Sequence, residues 1–270
     1  GSQGIPPSHP ELLDMLALDL IESGWDVKAM LRRMACSATY RQQSRSNLEQ
    51  RRQDPDNTQL ARGASHRLTA EMIRDHALAT SNLLVEQIGG PSVRPYQPTG
   101  LWKDKGAATY VQGTGDDLHR RSLYTYWKRT SPPPSMMMFD AVQRDICVAR
   151  RPSTTTPLQA LVLLNDPQFI EAARVLAERA ITEGGDETTD RITFAFRLLT
   201  SRHPRERELE VLLHLHNEQL SGFTADAEAA SGLAQAGEAP RREGCDDVEV
   251  AAMTVVCSTI LSSDAATMRR

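Results

Sequence analysis

A set of arginines and polar residues is the part of this sequence best suited to bind an anion. Its members lie on both sides of a proline-rich segment and continue into the helical stretch that follows: Arg121, Arg129, Asp140, Arg144, Arg150, Arg151, Gln159 and Asn165. The arginine side chain presents a planar fork of N–H donors that grips a carboxylate, phosphate or sulfate at two points. Glutamine and asparagine amides can also donate to a bound ligand. One hypothesis is therefore an anion or sugar-acid site.

The same residues permit a structural explanation, which we favour. Asp140 and Asp145 could pair with the arginines and hold an irregular segment against the helices. Gln159 and Asn165 are six residues apart, so one helix face need not carry both. Their amides commonly anchor loop backbone instead of a ligand. Sequence alone leaves both explanations open.

Local spacing indicates none of the familiar metal or cofactor motifs. The seven histidines form no ligand pattern, and the cysteines are widely spaced at Cys36, Cys147, Cys245 and Cys257. No phosphate-binding glycine loop, dinucleotide fingerprint or Gly-x-Ser-x-Gly motif occurs. We therefore expect no metal and no cofactor in this chain. We also expect four isolated, buried thiols, with two long-range disulfides as the alternative.

Composition indicates a globular protein. The chain has 270 residues, of which 40% are hydrophobic and 24% charged, a balance that allows a sizeable core. Its formal net charge of -4 argues against a nucleic-acid partner, because binding to phosphates requires a basic surface. No run of about 18 apolar residues is present, so no membrane span is predicted.

Apolar residues recur at helical spacing through most of the chain, which predicts a mainly α fold. Several helix starts are marked by a capping residue, a proline or both, namely Asp26, Thr69, Thr156-Pro157 and Asp166-Pro167. The helix after Thr69 is predicted to reach about Gln87. Its charged residues Arg67, Glu71, Arg74 and Asp75 are typical of a solvated or interhelical salt-bridge face. Residues 41–62 are predicted to form a long surface loop.

The expected architecture is a multi-helix orthogonal bundle in a single domain over residues 1–270. Residues 1–88 and 157–270 are helical in this prediction, and 221–244 form a flexible linker. An irregular arm over 89–156 holds one or two short β-strands, the best being Ser122 to Lys128. Within the arm, Met136 to Phe139 is expected to fill a gap in the core, and a partner-binding surface is the alternative.

A series of short motifs resembles a known family. In chain order the motifs are His9-Pro10-Glu11-Leu12-Leu13-Asp14, Ser23-Gly24-Trp25-Asp26-Val27-Lys28, Ser37-Ala38-Thr39-Tyr40-Arg41-Gln42, Arg67-Leu68-Thr69-Ala70-Glu71-Met72-Ile73-Arg74-Asp75, Gly89-Gly90-Pro91-Ser92-Val93, Arg121-Ser122-Leu123-Tyr124, Lys128-Arg129-Thr130, Phe139-Asp140 and the run from Thr156 to Pro167. Together they resemble domain of unknown function 1553, found in large planctomycete-type proteins. The resemblance covers nearly the whole chain. It departs from the family pattern at Met15, at Val142 and in the last residues, 262–270.

The resemblance implies a multidomain, exported parent protein, in the periplasm or at the cell surface. Family members often carry a cytochrome-c-like haem domain, and c-type haem is attached outside the cytoplasm. Any haem c is thus expected in another domain, and the other domains of the parent are the expected partners. Members usually have more sequence before the region of Gly4, so the resemblance implies that this chain begins inside the family domain. It supplies no catalytic residue.

Three functions are compatible with these observations. The leading hypothesis is a non-catalytic scaffold or ligand-binding module of a cytochrome-linked protein. The second is an enzyme domain that acts on polysaccharide or another anionic substrate through the arginine and aspartate residues. The third is a protein-interaction module that uses Met136 to Phe139, and carbohydrate is a further candidate partner.

Overall fold

A computed structural model of the protein describes residues 4, 6–103, 109–148 and 150–269. Within these residues the regular structure is almost entirely helical, which confirms the predicted mainly α fold class. The chain divides into two compact units, Gly1–His66 with Met268–Arg270, and Arg67–Thr267. Two strands of two residues each, β1 (His66–Arg67) and β2 (Met268–Arg269), form a small sheet. None of the helices in the described ranges is both long enough and apolar enough to cross a lipid bilayer.

The smaller unit contains three helices, α1 (Pro10–Glu22), α2 (Val27–Cys36) and α3 (Leu48–Gln53). As predicted, the Asp26 carboxylate caps α2 by accepting the N–H of Ala29 at 2.9 Å. The prediction of a long loop over 41–62 was wrong at α3. A reciprocal cap between Asn47 and Gln50, at 2.8 and 3.1 Å, starts this helix in a segment with few apolar residues.

Most apolar side chains of α1 and α2 are exposed. No residue of either helix is buried, although the two helices contact each other. The exposed large side chains are Leu12, Leu13, Met15, Leu18, Ile21, Val27, Leu31 and Met34, with Trp25 in the turn between the helices. The smaller unit therefore has little core of its own.

The larger unit contains ten helices within its described residues. They are α4 (Ala70–Ser81), α5 (Asp116–His119), α6 (Pro134–Met138), α7 (Pro157–Asn165), α8 (Pro167–Glu183), α9 (Thr188–Thr200), α10 (Glu206–Ala225), α11 (Ala227–Ala234), α12 (Asp247–Ser262) and α13 (Asp264–Thr267). The helices predicted after Thr69, Thr156 and Asp166 begin where expected. The irregular arm runs between α4 and α7, and its described residues contain short helical segments such as α5 and α6.

Helix α12 is the centre of the larger unit. It packs most extensively on α8, α10 and α11, and it also contacts α7 and α9. Ten of its residues are buried, from Val250 to Leu261. Alanines on both helices are buried, among them Ala173, Ala177, Ala251 and Ala252. The core of the unit therefore forms around two neighbouring helices rich in small residues.

Helix α4 ends earlier than predicted. It stops at Ser81 because Asn82 adopts a left-handed conformation with a φ of 65°. Asparagine tolerates this region better than most residues do. The N–H groups of Leu83 and Leu84 then turn back to the carbonyl of Leu78, at 2.8 and 3.1 Å. This turn closes the helix about six residues before Gln87.

The prediction of a flexible linker over 221–244 was wrong for its first half. Helix α10 continues to Ala225, and α11 follows at once, capped by the Asp226 carboxylate that accepts the N–H of Ala229 at 3.0 Å. Ala230 and Ala234 are fully buried. Alanine is common in linkers but is also the strongest helix former, so composition misled the prediction.

The strand predicted from Ser122 to Lys128 is absent. Ser122–Tyr124 is a single 3₁₀ turn, and Thr125 forms one isolated bridge with Val93. The Asp75 carboxylate accepts the N–H of Ser122 at 2.7 Å. This contact takes a backbone donor that a strand would have used in a ladder.

The methionine cluster lies mainly in the core, as expected. Met136 and Phe139 are buried, whereas Met138 is partly exposed. The cysteines only partly match their prediction. All four thiols are free, but only Cys257 is buried, Cys245 is half-buried, and Cys36 and Cys147 are exposed.

Candidate ligand-binding cavity

Asp140 is held in a closed hydrogen-bond network beside α4 and α7. Its carboxylate pairs with Arg67 and accepts the N–H and hydroxyl of Thr154 at 2.8 and 2.9 Å. Arg67 also donates to Oε1 of the buried Gln159 at 2.6 Å, and the Gln159 amide donates to the carbonyl of Met138 at 2.8 Å. Burial alone would raise the pKa of Asp140, but the bonds from Thr154 and Arg67 outweigh it and lower the pKa. Two predicted ligand-binding residues, Asp140 and Gln159, thus have their polar groups occupied by the protein itself.

A second network fixes the arm to α4 through Arg74. This side chain is almost fully buried and donates to the carbonyls of Leu118 and Arg120 at 2.6 and 2.8 Å. Its Nε donates to the side-chain oxygen of Gln168 at 2.8 Å. Burial lowers the pKa of Arg74 to about 10. The charged residues of α4 thus face the arm. For Arg74, the prediction of a solvated salt-bridge face does not apply, because its side chain is buried.

The remaining predicted arginines are spread along the arm. Arg151 pairs with Glu71 at 2.7 Å, and Arg121 lies 3.6 Å from Asp75. Arg144 stacks on a ring, with its guanidinium carbon 4.5 Å from the centre of Trp127.

Arg129 and Arg150 are exposed, with no hydrogen bond or ion pair to the described residues. The set therefore does not line one pocket. Asp140 and Gln159 share a network, two arginines pair with separate acids of α4, Arg144 stacks on Trp127, and Arg129 and Arg150 face solvent. This geometry resembles the structural explanation given above, in which acids pair with arginines and hold the irregular segment against the helices. The partner of Asp140 is nevertheless Arg67, an arginine outside the predicted set.

A cavity of the larger unit lies between the arm and the junction of α7 and α8. It has a volume of about 610 Å³. Its wall combines apolar side chains with neutral polar ones and consists of Tyr96, Gln97, Pro98, Thr99, Gln112, Pro134, Ser135, Met138, Leu158, Leu161, Val162, Asn165, Asp166 and Pro167. Asn165 is the one predicted binding residue at this cavity.

The Asn165-Asp166-Pro167 sequence places a carboxylate at the wall of the cavity. Asp166 ends α7 and caps α8, where its Oδ1 accepts the N–H of Gln168 at 3.1 Å. Burial raises the pKa of Asp166, although the Gln168 hydrogen bond and the nearby Arg74 oppose this effect. The Gln168 amide in turn donates to Ser135, another wall residue, at 3.1 Å.

The arm side of the cavity wall, which includes Tyr96, is supported by a buried acid. The Tyr96 hydroxyl accepts the N–H of Glu238 at 3.0 Å and lies close to Glu171, which is fully buried. Glu171 accepts from the N–H groups of Glu238 and Ala239 at 2.6 and 2.7 Å and contacts His119 Nε2 at 2.9 Å. Burial and the Glu171 charge together raise the pKa of Tyr96, so this hydroxyl remains neutral. These contacts hold the Tyr96 side chain in place at the wall of the cavity.

Sequence reasoning missed the arm residues of this wall, Tyr96, Gln97 and Gln112. They lie in a stretch without periodicity, so only their aromatic and amide types distinguish them. Among the residues that the structure describes, no three His, Cys, Asp or Glu side chains are grouped so that they could hold a metal ion.

The fold and the cavity define a mainly helical domain with a cavity in its larger unit. Residues 1–216 match the family model for PSD1, a protein of unknown function (DUF1553). The chain belongs to this family, as its motifs indicated. No curated protein and no solved structure matches the chain.

Proposed function

We propose that this chain is a non-catalytic ligand-binding module, with its binding site in the cavity between the arm and the α7–α8 junction. The observation that carries the proposal is the cavity itself. Its volume of about 610 Å³ lies within the range usual for small-molecule sites, and its wall has the usual mixture of apolar surface and a few polar groups.

The wall residues support binding more than catalysis. Ser135 accepts from Gln168, Asn165 donates to the carbonyl of Leu161 at 2.8 Å, and Asp166 caps α8. These bonds fix the orientation of the polar groups, which favours recognition of a ligand. As a finer part of the proposal, the module belongs to an exported, multidomain protein that also carries a cytochrome-c-like domain, as the family resemblance implies.

The proposal is tested by ligand binding to the whole chain. A panel of small apolar compounds with one polar group is screened by the change in melting temperature, and those that stabilise are titrated by calorimetry. Stabilisation is expected because a ligand that binds only the folded state raises its apparent stability. The Leu161→Trp variant, which fills the cavity, should lose this effect.

Leu123→Trp is the matched control, since Leu123 is 73% exposed and lies outside the wall. It should bind as the unmodified chain does. Binding that survives Leu161→Trp would place the site elsewhere. Catalytic turnover of a glycan, ester or sulfate substrate by the purified chain would contradict the non-catalytic role.

A further inference from the structure

The charge of the cavity wall indicates which ligands it accepts. Among the described residues that line it, Asp166 alone carries a formal charge, and this charge is negative. The arginines that suggested an anion site pair with acids of α4, stack on Trp127 or face solvent, and none of them belongs to the wall. Among the described wall residues, a ligand that enters the cavity therefore meets a carboxylate and no cationic side chain.

The Asp166 carboxylate keeps acceptor capacity for a ligand. Its Oδ1 accepts the N–H of Gln168, and the Gln168 side chain also interacts with the carboxylate. An ionised carboxylate offers about four lone-pair sites, so it can still accept from a ligand. Burial raises the pKa of Asp166, which means that solvent only partly stabilises its charge. A bound cation would supply the stabilisation that water does not.

Two positive features act on Asp166 from within the protein. The charge of Arg74 lowers the pKa of Asp166, although the N–H donors of Arg74 go to Gln168, Ser122 and backbone carbonyls and none goes to the carboxylate. The N-terminus of α8 is positive, but Asp166 itself caps it. The C-terminal end of α7 adds partial negative charge, because Pro167 has no N–H to give to the carbonyl of Leu163.

The arm side of the wall lies near further negative charge. Glu238 accepts from the amide of Gln112 at 3.2 Å, and the buried Glu171 lies beside the Tyr96 hydroxyl. The Tyr96 ring also offers an aromatic surface of the kind that attracts cations. Apolar side chains such as Leu161 and Val162 complete the wall and suit a hydrocarbon body.

We propose that the cavity binds a small organic cation, an amine joined to an apolar body, with the Asp166 carboxylate as its counter-ion. This inference rests on the ligand-binding function proposed above. It assigns the cavity to cationic ligands, in contrast to the anionic ligands that the arginines suggested.

The test compares three probes with one carbon skeleton: adamantylmethylamine, adamantylmethanol and adamantanecarboxylate. At neutral pH they are a cation, a neutral molecule and an anion of nearly equal size. Calorimetric titration of the whole chain at low salt should give the tightest Kd for the amine, about tenfold below that of the alcohol. The carboxylate should bind most weakly. Equal affinities, or tightest binding of the carboxylate, would overturn the inference.

Asp166→Asn separates charge from folding, because asparagine caps a helix as well as aspartate does. It should weaken amine binding about tenfold and leave alcohol binding unchanged. Asp246→Asn is the matched control: Asp246 caps α12 through the N–H groups of Val248 and Glu249, both at 3.1 Å, and lies outside the wall. This control should leave all three affinities unchanged.

The outcomes distinguish this inference from the proposed function. If the alcohol binds and Leu161→Trp abolishes its binding, the cavity is a ligand site, and an absent amine preference refutes only the cation selectivity. The same holds if Asp166→Asn leaves the amine affinity intact. If none of the three probes binds, both proposals fail.

Discussion

At the scale of single residues, Asp140 combines a special backbone conformation with a half-buried, paired charge. Its φ is +60°, which few residues other than glycine, asparagine and aspartate adopt at low cost. We expect Asp140→Ala to lower the free energy of unfolding by about 3 kcal/mol, because it strains the backbone and leaves Arg67 unpaired. Asp140→Asn keeps the backbone preference and should cost about half as much. Denaturant titrations measure both, and Asp145→Ala, at an exposed position in the same arm, should change stability by less than about 0.5 kcal/mol.

The same carboxylate makes stability depend on pH. Because the folded protein lowers the pKa of Asp140, its contribution is fully present above the unfolded value and is lost as the pH falls through the folded value. The unmodified chain should therefore lose more stability on acidification than Asp140→Asn does. Equal acid profiles of the two proteins would show that the carboxylate is not held in the network described above. Unfolding curves at neutral and acidic pH make the comparison.

At the scale of elements, the loop after α11 is fitted closely around α8. Gly237 has a φ of +90°, and a Cβ there would overlap the side chain of the buried Glu171. Gly237→Ala should destabilise the protein by about 2–4 kcal/mol, because both the backbone and the contact are strained. Gly222→Ala is the matched substitution: Gly222 lies inside α10, and a Cβ there meets nothing within 4 Å. It should stabilise by about 0.5–1 kcal/mol, since alanine favours the helix.

A stabilising Gly237→Ala would show that the loop does not wrap α8 in solution. The two melting curves therefore report on packing at one position and on helix propensity at the other.

Local signals in the sequence predicted elements well and the site poorly. Asp26, Thr69 and Asp166 start helices as expected, because a cap and the following apolar spacing act within a few residues. The buried role of Arg74 was not predictable, since its partners at Leu118 and Arg120 are more than 40 residues away. From the sequence, a salt bridge between Arg74 and charged neighbours on the same helix was an equally reasonable prediction. The cavity wall combines the arm with α7 and α8 and so depends on the same long-range contacts.

At the scale of the whole molecule, the residues that match the family model end before the folded core does. The matched residues, 1–216, stop inside α10, whereas the central helix α12 lies beyond them. A chain cut after residue 216 should fail to fold cooperatively, because α8 would lose its main packing partner. Circular dichroism and a thermal melt test this. A cooperative transition in the shortened chain would contradict the central role of α12.

Within the full chain, a smaller change should have a graded effect. Met253 is fully buried on α12, so Met253→Ala should cost about 2–5 kcal/mol while the protein still folds. This variant is the control that separates a loss of packing from the loss of the whole helix.

The four thiols differ in exposure, so their reactivity toward an alkylating reagent can be used to follow unfolding. Cys36 in the smaller unit and Cys147 in the larger unit are exposed and open to an alkylating reagent in the native state. Burial raises the pKa of the Cys257 thiol and shields it, and only the thiolate reacts. The rate at which Cys257 is alkylated, measured by mass spectrometry, therefore reports how often the core around α12 opens. Alkylation of Cys36 and Cys147 is the control that shows the reagent is active on each unit in its folded state.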